Sequence, residues 1–157
     1  VKLEKDLREF IESLNSKRVE FIVVGGHAVA FHGHPRYTGD IDIFIRQSPE
    51  NVLRLIDAIS AFGFTQLGLK AKDLLQPDVM IQLGHPPNRI DLLTDIAGVE
   101  FEEAWAGRVA GGLDDLPVFF LDLKSLLKNK RAMGRDKDLA DVNRLSEIER
   151  EIEERGL

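Results

Sequence analysis

No cysteine occurs in the 157 residues. That excludes disulfides and thiolate metal sites, and it fits a reducing, cytoplasmic compartment. No apolar run reaches the length of a membrane span, and the opening residues Val1-Lys2-Leu3-Glu4-Lys5 lack the apolar stretch of a signal peptide. The expectation is a cytoplasmic protein with no membrane partner. An initiator methionine is also missing, which suggests an alternative start codon or processing. Positive charge is in short supply: 21 Lys and Arg against 27 Asp and Glu leave a net charge of −6. Such a balance argues against a protein whose main task is coating nucleic acid, though not against a local basic pocket. Repeats, low-complexity tracts and linkers are absent too. Length and a hydrophobic content of 43% then predict a single domain over residues 1–157 with a proper core.

What the chain does have is a spacing: Gly25-Gly26, then Asp40-Ile41-Asp42, then Asp91 on a later apolar run. The two glycines end the strand-like run Phe21-Ile22-Val23-Val24 and lead into His27 to Phe31, which reads as a short helix. A glycine turn between strand and helix lets backbone N–H groups approach an anion, and the helix start adds partial positive charge. In the strand expected over Asp40 to Ile45, acid alternates with isoleucine. Asp40 and Asp42 therefore point to one face, about 6.6 Å apart along the chain, while Ile41, Ile43 and Ile45 face the core. An anion cradle beside paired carboxylates suits a nucleoside triphosphate with magnesium, a hard cation held by one or two carboxylates plus substrate phosphates. Three acids on adjacent strands can hold two such ions about 3.5–4 Å apart and clamp an in-line phosphoryl displacement. Alternating acid and isoleucine alone also describes any half-exposed strand; the combination with the glycine turn and Asp91 favours the site.

Hydrophobic spacing places the other elements. Leu3, Leu7, Phe10, Ile11 and Leu14 predict an amphipathic opening helix over 3–14, and Phe21–Val24 a central strand. Ser48 is the expected N-cap of a helix with Pro49 in first position, core residues Val52, Leu55, Ile56 and Ile59, and an end at Gly63. Residues 79–83 and 89–93 read as a hairpin joined by Gly84 to Asn88, with Asp91 pointing opposite to Ile90 and Leu92. A short helix from Phe101 to Trp105, a strand from Pro117 to Phe120 and a helix from Leu121 to Ala132 follow. A charged helix from Lys137 to Glu154 carries Leu139, Val142, Leu145, Ile148 and Ile152 along one expected core face; any surplus apolar surface there could support a homodimer.

The run Val24-Gly25-Gly26-His27-Ala28-Val29, then His32-Gly33, Pro35-Arg36, Thr38 and Asp40-Ile41-Asp42-Ile43, resembles the nucleotidyltransferase superfamily to which DNA polymerase β belongs. It is most similar to the small prokaryotic stand-alone or toxin–antitoxin members. Lys130-Arg131-Ala132, Gly134-Arg135 and Lys137-Asp138-Leu139-Ala140-Asp141 resemble that subgroup as well, so the likeness spans roughly residues 20–145. It implies an α+β nucleotidyltransferase fold: a small mixed β-sheet with flanking helices, a core over about 17–121 and a C-terminal helical portion over about 122–157. It implies Asp40, Asp42 and Asp91 as catalytic carboxylates and ligands of Mg2+ or Mn2+, and Gly25-Gly26 as the phosphate turn. Two departures stand out. Gly26 replaces the serine of many members, removing a hydroxyl contact to the triphosphate. Asp136 replaces a common proline within a basic segment.

Lys124, Lys128, Lys130, Arg131, Arg135 and Lys137 cluster in an acidic chain. Lys124 and Lys128 read as a solvated helix face, whereas Lys130 and Arg135 flank a helix break at Gly134 and suit neutralising a triphosphate or pyrophosphate. Arg36 and Thr38 are placed to reach a phosphate or to order their own loop. His27, His32 and His34 match no common zinc spacing. The expected reaction is metal-dependent transfer of a nucleoside monophosphate from a triphosphate to a hydroxyl, with release of pyrophosphate. The acceptor is open between an RNA end, a partner protein's hydroxyl and a small molecule. The alternative is an antitoxin-like subunit of the same fold that acts through complex formation.

Overall fold

Apolar residues three and four apart wind the opening helix: in α1 (Lys5–Ser16), Leu7, Phe10, Ile11 and Leu14 are buried. The computed structural model describes residues 4–35, 38–62, 68–85 and 88–156. β1 (Phe21–Val24) is buried along its whole length because it lies inside a sheet, antiparallel to β2 (Ile41–Ile45) and parallel to β6 (Leu116–Phe120). β2 in turn runs parallel to β4 (Ile90–Leu93), which pairs antiparallel with β3 (Met80–Leu83). β5 (Val109–Leu113) closes the other edge against β6, so the six strands lie in the order β3-β4-β2-β1-β6-β5. The fold is the mixed α+β arrangement expected.

Helix α2 (Gly25–Phe31) leaves β1 directly and packs on β1 and β2. Its first turn includes both glycines, which the sequence placed in a turn ahead of the helix. Asp40 likewise falls just before β2 rather than inside it. In α3 (Pro49–Ala61), Ser48 caps the start by accepting from the Asn51 N–H, and Val52, Leu55 and Ile59 are buried with Ile56 packed at their edge. The expected stop at Gly63 lies outside the described residues. The single turn α4 (Ala71–Leu74) and strand β5 went unforeseen. Val-Ala-Gly-Gly-Leu has little strand propensity, and its glycine is explained by packing. A Cβ on Gly111 would lie 2.6 Å from the Phe31 ring and 2.9 Å from Phe120, two rings stacked 4.1 Å apart.

After α5 (Phe101–Ala106) and the β5–β6 hairpin, α6 (Leu123–Met133) starts on an Asp122 cap and stops at Gly134, whose φ of +66° is the left-handed conformation of a helix end. α7 (Asp136–Glu154) packs back on α6. Asp136 takes the first helical position, where proline is favoured and where an acid suits the helix dipole; either residue fits for a different reason. The expected aliphatic core face of α7 is only partly core. Leu145 is buried and Val142 and Ile148 pack at the margin, but Leu139 and Ile152 stand 46% and 37% exposed. The buried positions Asp138 and Asp141 serve instead to hold a lysine of α6.

Candidate active site

Asp42 and Asp91 are direct partners across the parallel pair β2–β4, so both carboxylates rise on the same face of the sheet. Their isoleucine and leucine neighbours, Ile41, Ile43, Ile90 and Leu92, are buried. On its other side Asp42 is in register with Val24, which brings its carboxylate over the start of α2. A Cβ on Gly25 would sit 2.2 Å from Asp42 Oδ2, and Gly25 itself has φ +66°. Glycine is required there twice over, by backbone conformation and by the space the carboxylate occupies.

Asp40 approaches from the segment before β2. Its Oδ1 accepts the Arg89 backbone N–H at 3.3 Å, and its Oδ2 is 3.1 Å from Arg89 Nη2. The same guanidinium grips Asp91, with Nε donating to Oδ1 at 2.8 Å and Nη2 to Oδ2 at 3.2 Å. Among the described residues no guanidinium grips Asp42 in this way. Burial, then Asp91 with its charge and hydrogen bond, then Asp40, push its carboxyl up to about 6, against a smaller opposing pull from Lys130.

The acids open into a cleft of about 460 Å³. Gly26, Thr38 and Gly39 form part of its lining, and Lys130, Arg135 and Lys137 bring positive charge from α6 and α7. Lys130 is buried, its Nζ 3.3 Å from Asp138 Oδ1 and 3.2 Å from Asp141 Oδ2. Arg135 donates from Nε to Asp138 Oδ2 at 2.6 Å. Burial would raise the Asp138 carboxyl, but the Arg135 hydrogen bond and the Lys130 charge outweigh it and hold the group below its usual range. The rest of the basic cluster is elsewhere: Lys124 is exposed, and Lys128 pairs with Glu103 at 2.8 Å.

Asp40, Asp42, Asp91, Gly26, Thr38, Lys130 and Arg135 thus share one cleft, and Gly25 underlies Asp42. Arg36 lies outside the described residues. The histidines have separate surroundings. His32 Nε2 is 2.7 Å from the Leu121 carbonyl oxygen, and His34 is 3.9 Å from Asp141. His27 is buried, which lowers its pKa, and its Nε2 has no hydrogen-bond partner among the described residues. Among the described residues no three His, Asp or Glu side chains are grouped closely enough to hold a metal, and Arg89 engages Asp40 and Asp91. The adjacent pair Asp42–Asp91 does fit magnesium or manganese: two crowded hard-oxygen donors, one raised in pKa by the other, are the charge arrangement a divalent cation relieves.

Arg89 was missed from the sequence, though its position two residues before Asp91 on a strand places both on one face. The sequence shows Asp138 and Asp141 only as part of the likeness to relatives and not as partners of Lys130; their spacing of three on a helix puts both on one side of it.

A six-stranded mixed sheet with paired acids at a glycine-led helix defines a protein of the nucleotidyltransferase class. Residues 2–153 match the family described as "Nucleotidyltransferase of unknown function (DUF6036)", and the chain belongs to it. No curated protein matches the chain. Among solved structures it is similar to TM1012 from Thermotoga maritima, named as a candidate nucleotidyltransferase. That likeness has a TM-score of 0.53 and 15% identity over 94% of this chain and 91% of the other. It concerns the fold.

Proposed function

We propose that this protein transfers a nucleoside monophosphate from a nucleoside triphosphate to a hydroxyl acceptor and releases pyrophosphate. The observation that carries this reading is the Asp42–Asp91 pair, in register across β2–β4 and facing Lys130 and Arg135 across one cleft. Asp42 and Asp91, joined by Asp40, would hold Mg2+ or Mn2+, which when bound supplies charge neutralisation of the phosphates and activation of the attacking oxygen. Lys130 and Arg135 sit where they can balance the triphosphate and the departing pyrophosphate. The N–H groups at Gly25 and Gly26 offer the phosphate contacts that a serine hydroxyl would otherwise share. Asp91, buried between Ile90 and Leu92, orients the acceptor hydroxyl and takes its proton. The hydroxyl oxygen then bonds to the α-phosphorus as the bond to the β-phosphate oxygen breaks.

Incubating the protein with each α-labelled triphosphate, manganese or magnesium, and candidate acceptors tests this. Label transfer matched by pyrophosphate is the expected outcome, lost in folded Asp40→Asn and Asp42→Asn and in excess EDTA. Full activity in either variant or in EDTA overturns the reading.

A further inference from the structure

Among the described residues, Arg89 is the guanidinium set directly among the acids. It lies on the same strand face as Asp91, grips that carboxylate through two nitrogens at 2.8 and 3.2 Å, and reaches Asp40 at 3.1 Å with the same Nη2. Its own backbone N–H fixes Asp40 from the other side, so the acid and the arginine form a closed clasp at the start of β2 and β4. A guanidinium fork matches a carboxylate better than any other side chain does, and the bidentate contact is strong and geometrically specific. The Arg89 side chain is 27% exposed and lines the cleft, so it can leave the acids without disturbing the core.

Resting on the proposed nucleotidyl transfer, we infer that Arg89 is a resident counter-ion that competes with the divalent cation for Asp40 and Asp91. It hands those acids over when a triphosphate enters. A metal ion and a guanidinium on the same carboxylate oxygens share one negative charge and repel each other, so each weakens the other's hold. A cation arriving alone must displace Arg89 into a cleft that already holds Lys130, Arg135 and Lys137, where like charges oppose it. A cation arriving with a triphosphate comes as a complex of net negative charge, and the displaced guanidinium gains a phosphate partner. Nucleotide and metal binding are then positively coupled through one side chain, and by reciprocity each strengthens the other to the same degree. The arrangement also keeps Asp40 and Asp91 from holding a stray cation before the substrate arrives.

The test is binding of Mn2+, followed by the loss of its free electron-paramagnetic signal, with and without the α,β-methylene analogue of ATP. Without nucleotide, Arg89→Gln should bind Mn2+ about tenfold more tightly than the native protein. The analogue should tighten Mn2+ binding to the native protein and do so much less in Arg89→Gln. Arg89→Lys keeps the charge without the fork and should lie between them; it carries the test if Arg89→Gln fails to fold. The folded Gln variant should also melt lower than the native protein at pH 8 and be restored by Mn2+. Mn2+ binding in the variants equal to or weaker than native overturns the role of Arg89 and leaves nucleotidyl transfer standing. If neither native protein nor variant binds Mn2+ even with the analogue, the site reading itself fails.

Discussion

Asp42 is pressed between Gly25 below and Asp91 beside it, and three consequences can be measured. The folded protein holds the Asp42 proton more tightly than the unfolded chain, since its pKa is raised from 3.8 to about 6. The stability contributed by that proton is therefore fully present below about 3.8 and lost as pH rises through about 6. Asp42→Asn has nothing to ionise. It should be more stable than the native protein by about 1–3 kcal/mol near pH 8 without divalent ions, with the gap closing toward pH 4. Denaturant titrations across pH check this; a gap that widens on acidification contradicts it. Gly25→Ala should cost about 1–2 kcal/mol from the left-handed backbone alone and also turn the Asp42 carboxylate aside, so transfer should fall further than stability explains. Asp91→Asn should bind triphosphate nearly as the native protein does yet transfer at least about a hundredfold more slowly, as expected on losing a proton acceptor. Loss of nucleotide binding as complete as in Asp40→Asn would refute that division of roles.

At the scale of elements, the α6–α7 pair is a charged wall whose parts are not equivalent probes. Lys130 is buried against Asp138 and Asp141, so Lys130→Ala removes a buried positive charge that both acids face and should cost about 3 kcal/mol. The Arg135 side chain is half exposed, and its removal should cost less than about 1 kcal/mol. Calorimetric titration with a non-hydrolysable triphosphate should show weakened binding in Arg135→Ala and in whatever Lys130→Ala remains folded, and native binding in Lys124→Ala. Equal small effects at all three positions would make the wall a solvated face. The glycine stop at Gly134 matters here because it turns the chain so that Arg135 reaches Asp138 and the cleft together.

For the whole molecule, the cleft draws on β2, β4, the start of α2 and the α6–α7 turn, segments far apart in the chain. A ligand that bridges them stabilises the native state by mass action, about 2.7 kcal/mol at a hundredfold excess over its dissociation constant. Thermal melting should rise by several degrees with Mn2+ and the methylene analogue together, and by less with either alone; simple additivity would argue against a shared site.

The sequence by itself determined the elements whose signal is local. Strand alternation at Ile41, Ile43 and Ile45, the Ser48-Pro49 helix start and the Gly134 stop each depend on residues within one or two turns of each other. Residues that share a strand face or a family pattern were legible for the same reason, and Asp40, Asp42 and Asp91 do meet in one cleft. Strand β5 was not legible, because its glycines answer to the stacked rings of Phe31 and Phe120 and not to local preference. The exposed Leu139 and Ile152 show the converse: helical periodicity says which residues share a side, but packing decides which part of that side is covered. Only the tertiary structure put Arg89 between Asp40 and Asp91, Lys130 between Asp138 and Asp141, and Gly25 beneath Asp42. Charge pairing acts over a few ångströms of space whatever the distance along the chain, so partners 49 residues apart, such as Arg89 and Asp40, become neighbours only when β2 and β4 align.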